Sequence, residues 1–82
     1  MTIKVNKPKD INALFLKAKE DAQKHNITWT GDIREGHGSG FGFEGRYVVD
    51  ENYIVITVLK RPLLASKSRI EREVKNYVMQ TE

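Results

Sequence analysis

The sequence predicts an α+β domain with the order β-α-β-β-β-α, in which an antiparallel sheet carries both helices on one face. Three observations lead there. Residues 11–25 space their apolar side chains at helical intervals. Residues 27–59 alternate or run rich in β-branched side chains, as strands do. Residues 68–78 return to helical spacing. Each stretch has an apolar stripe, and one layer of sheet against one layer of helix buries all the stripes together.

The elements follow in order. Ile3 and Val5 alternate with polar neighbours between Thr2 and Lys7, a short strand that Pro8 breaks. Asp10 is placed to cap a helix, its carboxylate accepting from backbone N–H groups of the first turn. Ile11, Leu14, Phe15, Ala18 and Ala22 form the inner stripe, and Lys17, Lys19, Glu20, Asp21 and Lys24 the outer face. His25 and Asn26 close the helix, asparagine being tolerant of the left-handed conformation found there. From Ile27 to Ile33 the alternation sets Ile27, Trp29 and Ile33 against Thr28, Thr30 and Asp32, a half-buried strand.

Arg34–Gly40 reads as a loop. Phe41, Phe43, Gly45, Tyr47 and Val49 then fall on one face of a second strand, and Asp50–Asn52 turns the chain. Tyr53–Leu59 is apolar on both faces, which marks a central strand or one covered on both sides. Pro62 ends it, and Leu63 and Leu64 bridge to the second helix. Ser68 and Glu71 have capping-box spacing there, ahead of an apolar stripe of Ile70, Val74, Tyr77 and Val78.

The 82 residues make one domain, 1–82, with room for one small core. A chain of this size buries only about 60% of the surface it exposes when unfolded. The absence of cysteine rules out disulfides, a thiol nucleophile and Cys-ligated metal. No apolar run approaches a membrane span, and the polar start MTIKVNKPKD lacks the core of a signal peptide, so the expected location is cytoplasmic. The net charge of +3 is uneven. Residues 1–26 carry six Lys/Arg against three Asp/Glu, residues 27–59 two against five, and residues 60–82 six against three. Basic ends flank an acidic middle, a distribution that permits a polyanionic partner without demanding one.

The segment GHGSGFGFEG contains GxGxxG at Gly40, Gly42 and Gly45. A dinucleotide fingerprint needs a helix directly after it, and here a strand follows. The glycines therefore read as a hairpin connection and as strand positions marking a bulge or close approach by a large neighbour. His37 and Ser39 would need an orienting acid held rigidly, and a glycine-rich loop holds nothing rigidly even with Asp32 and Glu35 nearby, so no catalytic residue is assigned. His37 with Asp32 and Glu35 makes at most a weak metal set, and no metal or cofactor is expected.

Candidate partner-binding residues are aromatic and basic. Trp29, Phe41 and Phe43 could stack on bases, although core packing is the simpler reading for Trp29. Lys60, Arg61, Lys67, Arg69, Arg72 and Lys75 surround the last helix. Pairs at i,i+4 temper that charge: Lys67–Glu71, Glu71–Lys75 and Arg69–Glu73.

From the first helix onward the pattern resembles the polyhydroxyalkanoic acid system family of small bacterial proteins. The resemblance rests on Trp29-Thr-Gly-Asp32, Phe43-Glu-Gly45, the Val-rich strand ending in Leu59, Pro62-Leu-Leu64, and Ser68-Arg-Ile-Glu-Arg-Glu-Val74. GHGSG is an addition to the family pattern. The N-terminal region also departs from it, reading Asn6-Lys-Pro-Lys-Asp10 where members often carry a histidine. The resemblance implies association with storage-polyester granules and no catalytic residues.

The resulting expectation is a non-enzymatic bacterial accessory or binding protein. Its partner would be another protein or, as the resemblance implies, a hydrophobic granule surface. The apolar strands suggest a homodimer formed through a sheet face or edge. The alternative is a small nucleic-acid-binding module using the last helix and the aromatic strand.

Overall fold

A computed structural model describes residues 1–80. Seven elements follow along the chain: β1 (Thr2–Asn6), α1 (Ile11–Lys24), β2 (Thr28–Gly31), β3 (Glu35–Gly40), β4 (Phe43–Val49), β5 (Tyr53–Lys60) and α2 (Lys67–Met79). The strands form one antiparallel sheet in the order β1-β5-β4-β3-β2. β2 to β5 run as a meander, and α1 carries the chain from β1 at one edge to β2 at the other. The α+β class, the antiparallel sheet and a central place for the last strand agree with the sequence reading.

Register explains why the helices cover one face. Ile3 lies opposite Ile56 and Val5 opposite Ile54, while Tyr47 and Val49 meet the same two isoleucines from β4. These rows point towards the helices. Ile3, Val5, Leu14, Ile54, Ile70 and Val78 form the buried cluster, with Tyr47, Val49, Ile56, Val58 and Val74 packed around it. The helices lie antiparallel. Lys17 Nζ donates to Gln80 Oε1 at 2.7 Å, and Tyr77 donates its hydroxyl to Asp21 one turn further along α1. Asp10 caps α1 as expected, accepting from the amide of Ala13 at 3.0 Å, and Asn26 takes a φ of +55° just past the helix end.

Two local expectations are corrected. Arg34–Gly40 is not a loop: Glu35–Gly40 pairs with β2 on one side and β4 on the other. Its inner positions are Gly36, Gly38 and Gly40, so the strand has no apolar stripe for a sequence reading to find. What it offers is space. A methyl group at Gly36 would lie 2.5 Å from the Tyr47 hydroxyl oxygen, so the phenol lies over the bare backbone. The Glu44/Gly45 step is a bulge, the other role expected of these glycines.

The second correction is the cap of α2. Ser66 accepts from the amide of Arg69 at 3.2 Å, so Ser66 is the N-cap and Ser68 lies inside the first turn. Ser66 and Ser68 both precede the same apolar stripe, and only the path of the chain out of β5 separates them.

Candidate functional site

Trp29 faces the helices. Its ring packs edge-on to Phe15 of α1, with centroids 5.0 Å apart, and to Tyr47 at 6.1 Å. Its Nε1 donates to the Tyr47 hydroxyl at 3.1 Å, and that hydroxyl donates to the carbonyl of Asp32 at 2.5 Å. Partial burial, more than any neighbouring charge, pushes the Tyr47 phenol above its ordinary pKa. The indole fills the space that the glycine face of β3 leaves under α1, at the edge of a cleft of about 620 Å³. It is half-buried and packs against Phe15 and Tyr47.

The face away from the helices is mixed in character. His37 and Glu44 meet across β3 and β4 at 2.8 Å, both about two-fifths exposed. Ser39 stands opposite Glu44, but the carboxylate is the group that takes the His37 Nε2, so the serine has no base of the kind acyl transfer needs. Lys4 lies over the Tyr53 ring at 4.0 Å. Asp32 accepts from the amides of Arg34 at 2.8 Å and Glu35 at 3.1 Å, closing the β2–β3 turn. Those two hydrogen bonds, Arg34 first, hold its carboxyl below the ordinary range. The set His37, Asp32 and Glu35 is thus dispersed into a cross-strand pair and a turn. Among the described residues no three His, Asp or Glu side chains are grouped to hold a metal ion.

The unusual surface is one end of the sheet. Phe41 and Gly42 form the two-residue turn between β3 and β4, both at positive φ, +54° and +81°. Such a turn matches the twist of the flanking strands and ordinarily takes Asn-Gly. Phe41 is therefore not on the strand face shared by Phe43. It stands on the hairpin tip, 69% exposed, with its ring 6.2 Å from that of His25 at the end of α1.

The β5–α2 connection reaches the same place: a methyl group at Gly42 would lie 3.2 Å from Pro62 Cγ. Pro62–Ala65 is itself a tight turn. The amide of Ala65 donates to the Pro62 carbonyl at 3.1 Å, and Arg61 Nη1 donates to the Ala65 carbonyl at 2.9 Å. Leu63 and Leu64 occupy its two corners and are fully exposed, at 103% and 100%. Leu59 and Phe43 are exposed beside them. Phe43, Pro62, Leu64 and Ile70 line a second hollow of about 590 Å³ against the start of α2.

No protein-family model matches the chain, and neither a curated protein nor a solved structure matches it.

The structure thus gathers Phe41, Phe43, Lys60, Arg61 and Arg69 at one end. Trp29 lies apart, under α1, and Arg72 lies one turn further along α2. Arg69 reaches the second hollow with Glu73, while Lys75 is held by Glu71 at 3.0 Å. Leu63 and Leu64 lie at this end and are not among the candidate partner-binding residues of the sequence reading. The available signal was Leu63-Leu64 between Pro62 and Ala65, two large apolar residues belonging to neither a strand alternation nor a helical stripe. Among the described residues no helix is long and apolar enough to cross a membrane.

Proposed function

We propose that this chain is a non-enzymatic binding protein that attaches through its apolar end to a hydrophobic surface, of which a storage-polyester granule is the instance that the family resemblance suggests. The observation carrying this reading is the pair of fully exposed leucines held on a hydrogen-bonded turn beside an exposed phenylalanine. Isolated exposed apolar residues are ordinary. A cluster rimmed by charge is characteristic of an interaction site. Removing a leucine side chain from water contributes about 2 kcal/mol.

Other features favour a binding role over catalysis. Asp32 and Asp50 are used in turns, His37 in a cross-strand pair, and Asp21 in a helix–helix contact. The homodimer expected from the apolar strands has weaker support. The uncovered face carries Lys4, Arg46, Glu35 and the His37–Glu44 pair among its smaller apolar side chains. The nucleic-acid alternative keeps its basic helix and has weaker support from the aromatic strand, because Phe41 stands on a turn and does not share a strand face with Phe43.

The test is depletion of the purified chain from solution by polyhydroxyalkanoate particles. The expected result is saturable adsorption that falls about a hundredfold or more when Leu63→Ser and Leu64→Ser are combined, since each lost contact of about 2 kcal/mol is worth at least tenfold. Circular dichroism melting should be unchanged, as both side chains lie outside the core. A wild-type chain that stays in the supernatant would overturn the reading.

A further inference from the structure

The surroundings of the apolar end indicate what kind of surface it meets. We infer that its partner is an anionic lipid layer, with the leucine turn entering the acyl region and the adjacent basic side chains holding the phosphate headgroups. This rests on the reading of the end as a hydrophobic attachment site.

Charge complementarity carries the argument. The segment from Leu59 to Ile70, which contains the leucine turn, holds Lys60, Arg61, Lys67 and Arg69 and no Asp or Glu. Two carboxylates, Glu44 and Glu73, line the second hollow with Leu64 and Arg69, and Glu44 pairs with His37; Glu71 is held by Lys75. The basic side chains outnumber them at this end. α2 also begins here, so the partial positive charge of its N-terminus has the same sign.

Shape points the same way. Leu63 and Leu64 occupy the corners of a convex turn, and Phe41 the tip of a neighbouring hairpin. A protruding apolar tip suits a deformable hydrocarbon phase. Long basic side chains beside it lay their methylene stems on the apolar level and keep their charged heads at the phosphates. The Arg61 guanidinium, already bonded to Ala65, ties the basic collar to the leucine turn, so both are presented together. Nucleic acid would use the charge and leave the leucines in water. An uncharged polyester would use the leucines and leave the charge without a role.

The experiment is co-sedimentation of the full chain with phosphatidylcholine vesicles, with and without phosphatidylglycerol, alongside the polyester particles and duplex DNA. Two variants separate the contributions: Leu63→Ser with Leu64→Ser, and Lys60→Gln with Lys67→Gln and Arg69→Gln. The expected result is binding to the phosphatidylglycerol vesicles about tenfold or more above that to phosphatidylcholine alone, weakened by salt and by either variant. Equal binding to both vesicle types overturns the anionic partner. Adsorption to polyester without binding to vesicles overturns this inference and leaves the hydrophobic-surface reading standing. Failure on particles and vesicles alike overturns both. DNA binding that the Gln variant loses and the Ser variant keeps, without vesicle binding, assigns the basic residues to nucleic acid instead.

Discussion

Phe41 is the residue where local preference and observed conformation disagree most. A bulky side chain at φ +54° brings its Cβ against its own backbone, which costs on the order of 1–2 kcal/mol. Asparagine tolerates that conformation and is the usual partner of glycine in this turn. The ring regains little by packing, since it is 69% exposed and meets His25 edge-on. Phe41→Asn should therefore raise the thermal midpoint, by an amount equivalent to about 0.5–1 kcal/mol, while weakening adsorption to apolar particles. A lower midpoint would show that the His25 contact outweighs the strain. A strained, exposed aromatic is what a binding role would leave behind. The sequence marked Phe41 as interesting and misjudged its setting, because alternation with Phe43 is the same whether the first of the two is in the strand or in the turn before it.

At the scale of elements, α2 shows how a boundary escapes a pattern. Ser66 and Ser68 are both cap-forming residues, and Glu71 three places after Ser68 favours the wrong one. The Pro62–Ala65 turn delivers the chain in an extended conformation at Ser66, with φ −76° and ψ 151°, and the helix starts at Lys67. Ser66→Ala should lower stability by about 1 kcal/mol in a denaturant titration, and Ser68→Ala by less than half as much. The reverse order would move the cap. β3 makes the complementary case. Its glycines oppose strand formation on their own, yet pairing on both sides and the Tyr47 phenol over Gly36 hold it in the sheet. Strand propensity is mostly a measure of packing against neighbours, and a strand whose contribution is empty space has no local signal of it.

For the whole molecule, a small core shares the stabilising role with its turns. Among the described residues few side chains are fully buried, and two of the three loops joining β2 to β5 are held by aspartates. Asp50 accepts from the amides of Tyr53 at 2.6 Å and Asn52 at 2.9 Å, and these hydrogen bonds, Tyr53 first, lower its pKa as the corresponding bonds lower that of Asp32. A carboxyl depressed in the folded state binds its proton more readily when the chain unfolds. Its contribution is therefore present above the unfolded value, about pH 4, and is lost as pH falls through the lower folded value. Unfolding midpoints measured between neutral pH and about pH 2 should decline over that acid range. The decline should be shallower in Asp32→Asn and in Asp50→Asn, and an unchanged slope in both would remove the turns from the account.

The sequence by itself determined the fold class and the two helices with their inner stripes; the setting of Trp29 and the place of β5 in the sheet came from the structure. Fold class and helices are matters of period and polarity, and periodicity is written locally. Only the tertiary structure decided that the glycine segment is a strand and which serine caps α2. It also decided that Phe41, Leu63 and Leu64 meet at one end. The physical reason is common to all three. The β3–β4 turn and the β5–α2 turn are some twenty residues apart in the chain, and the pairing of β4 with β5 is what brings them together. Exposure is a property of what fails to cover a residue, and no window of sequence contains its neighbours across the sheet.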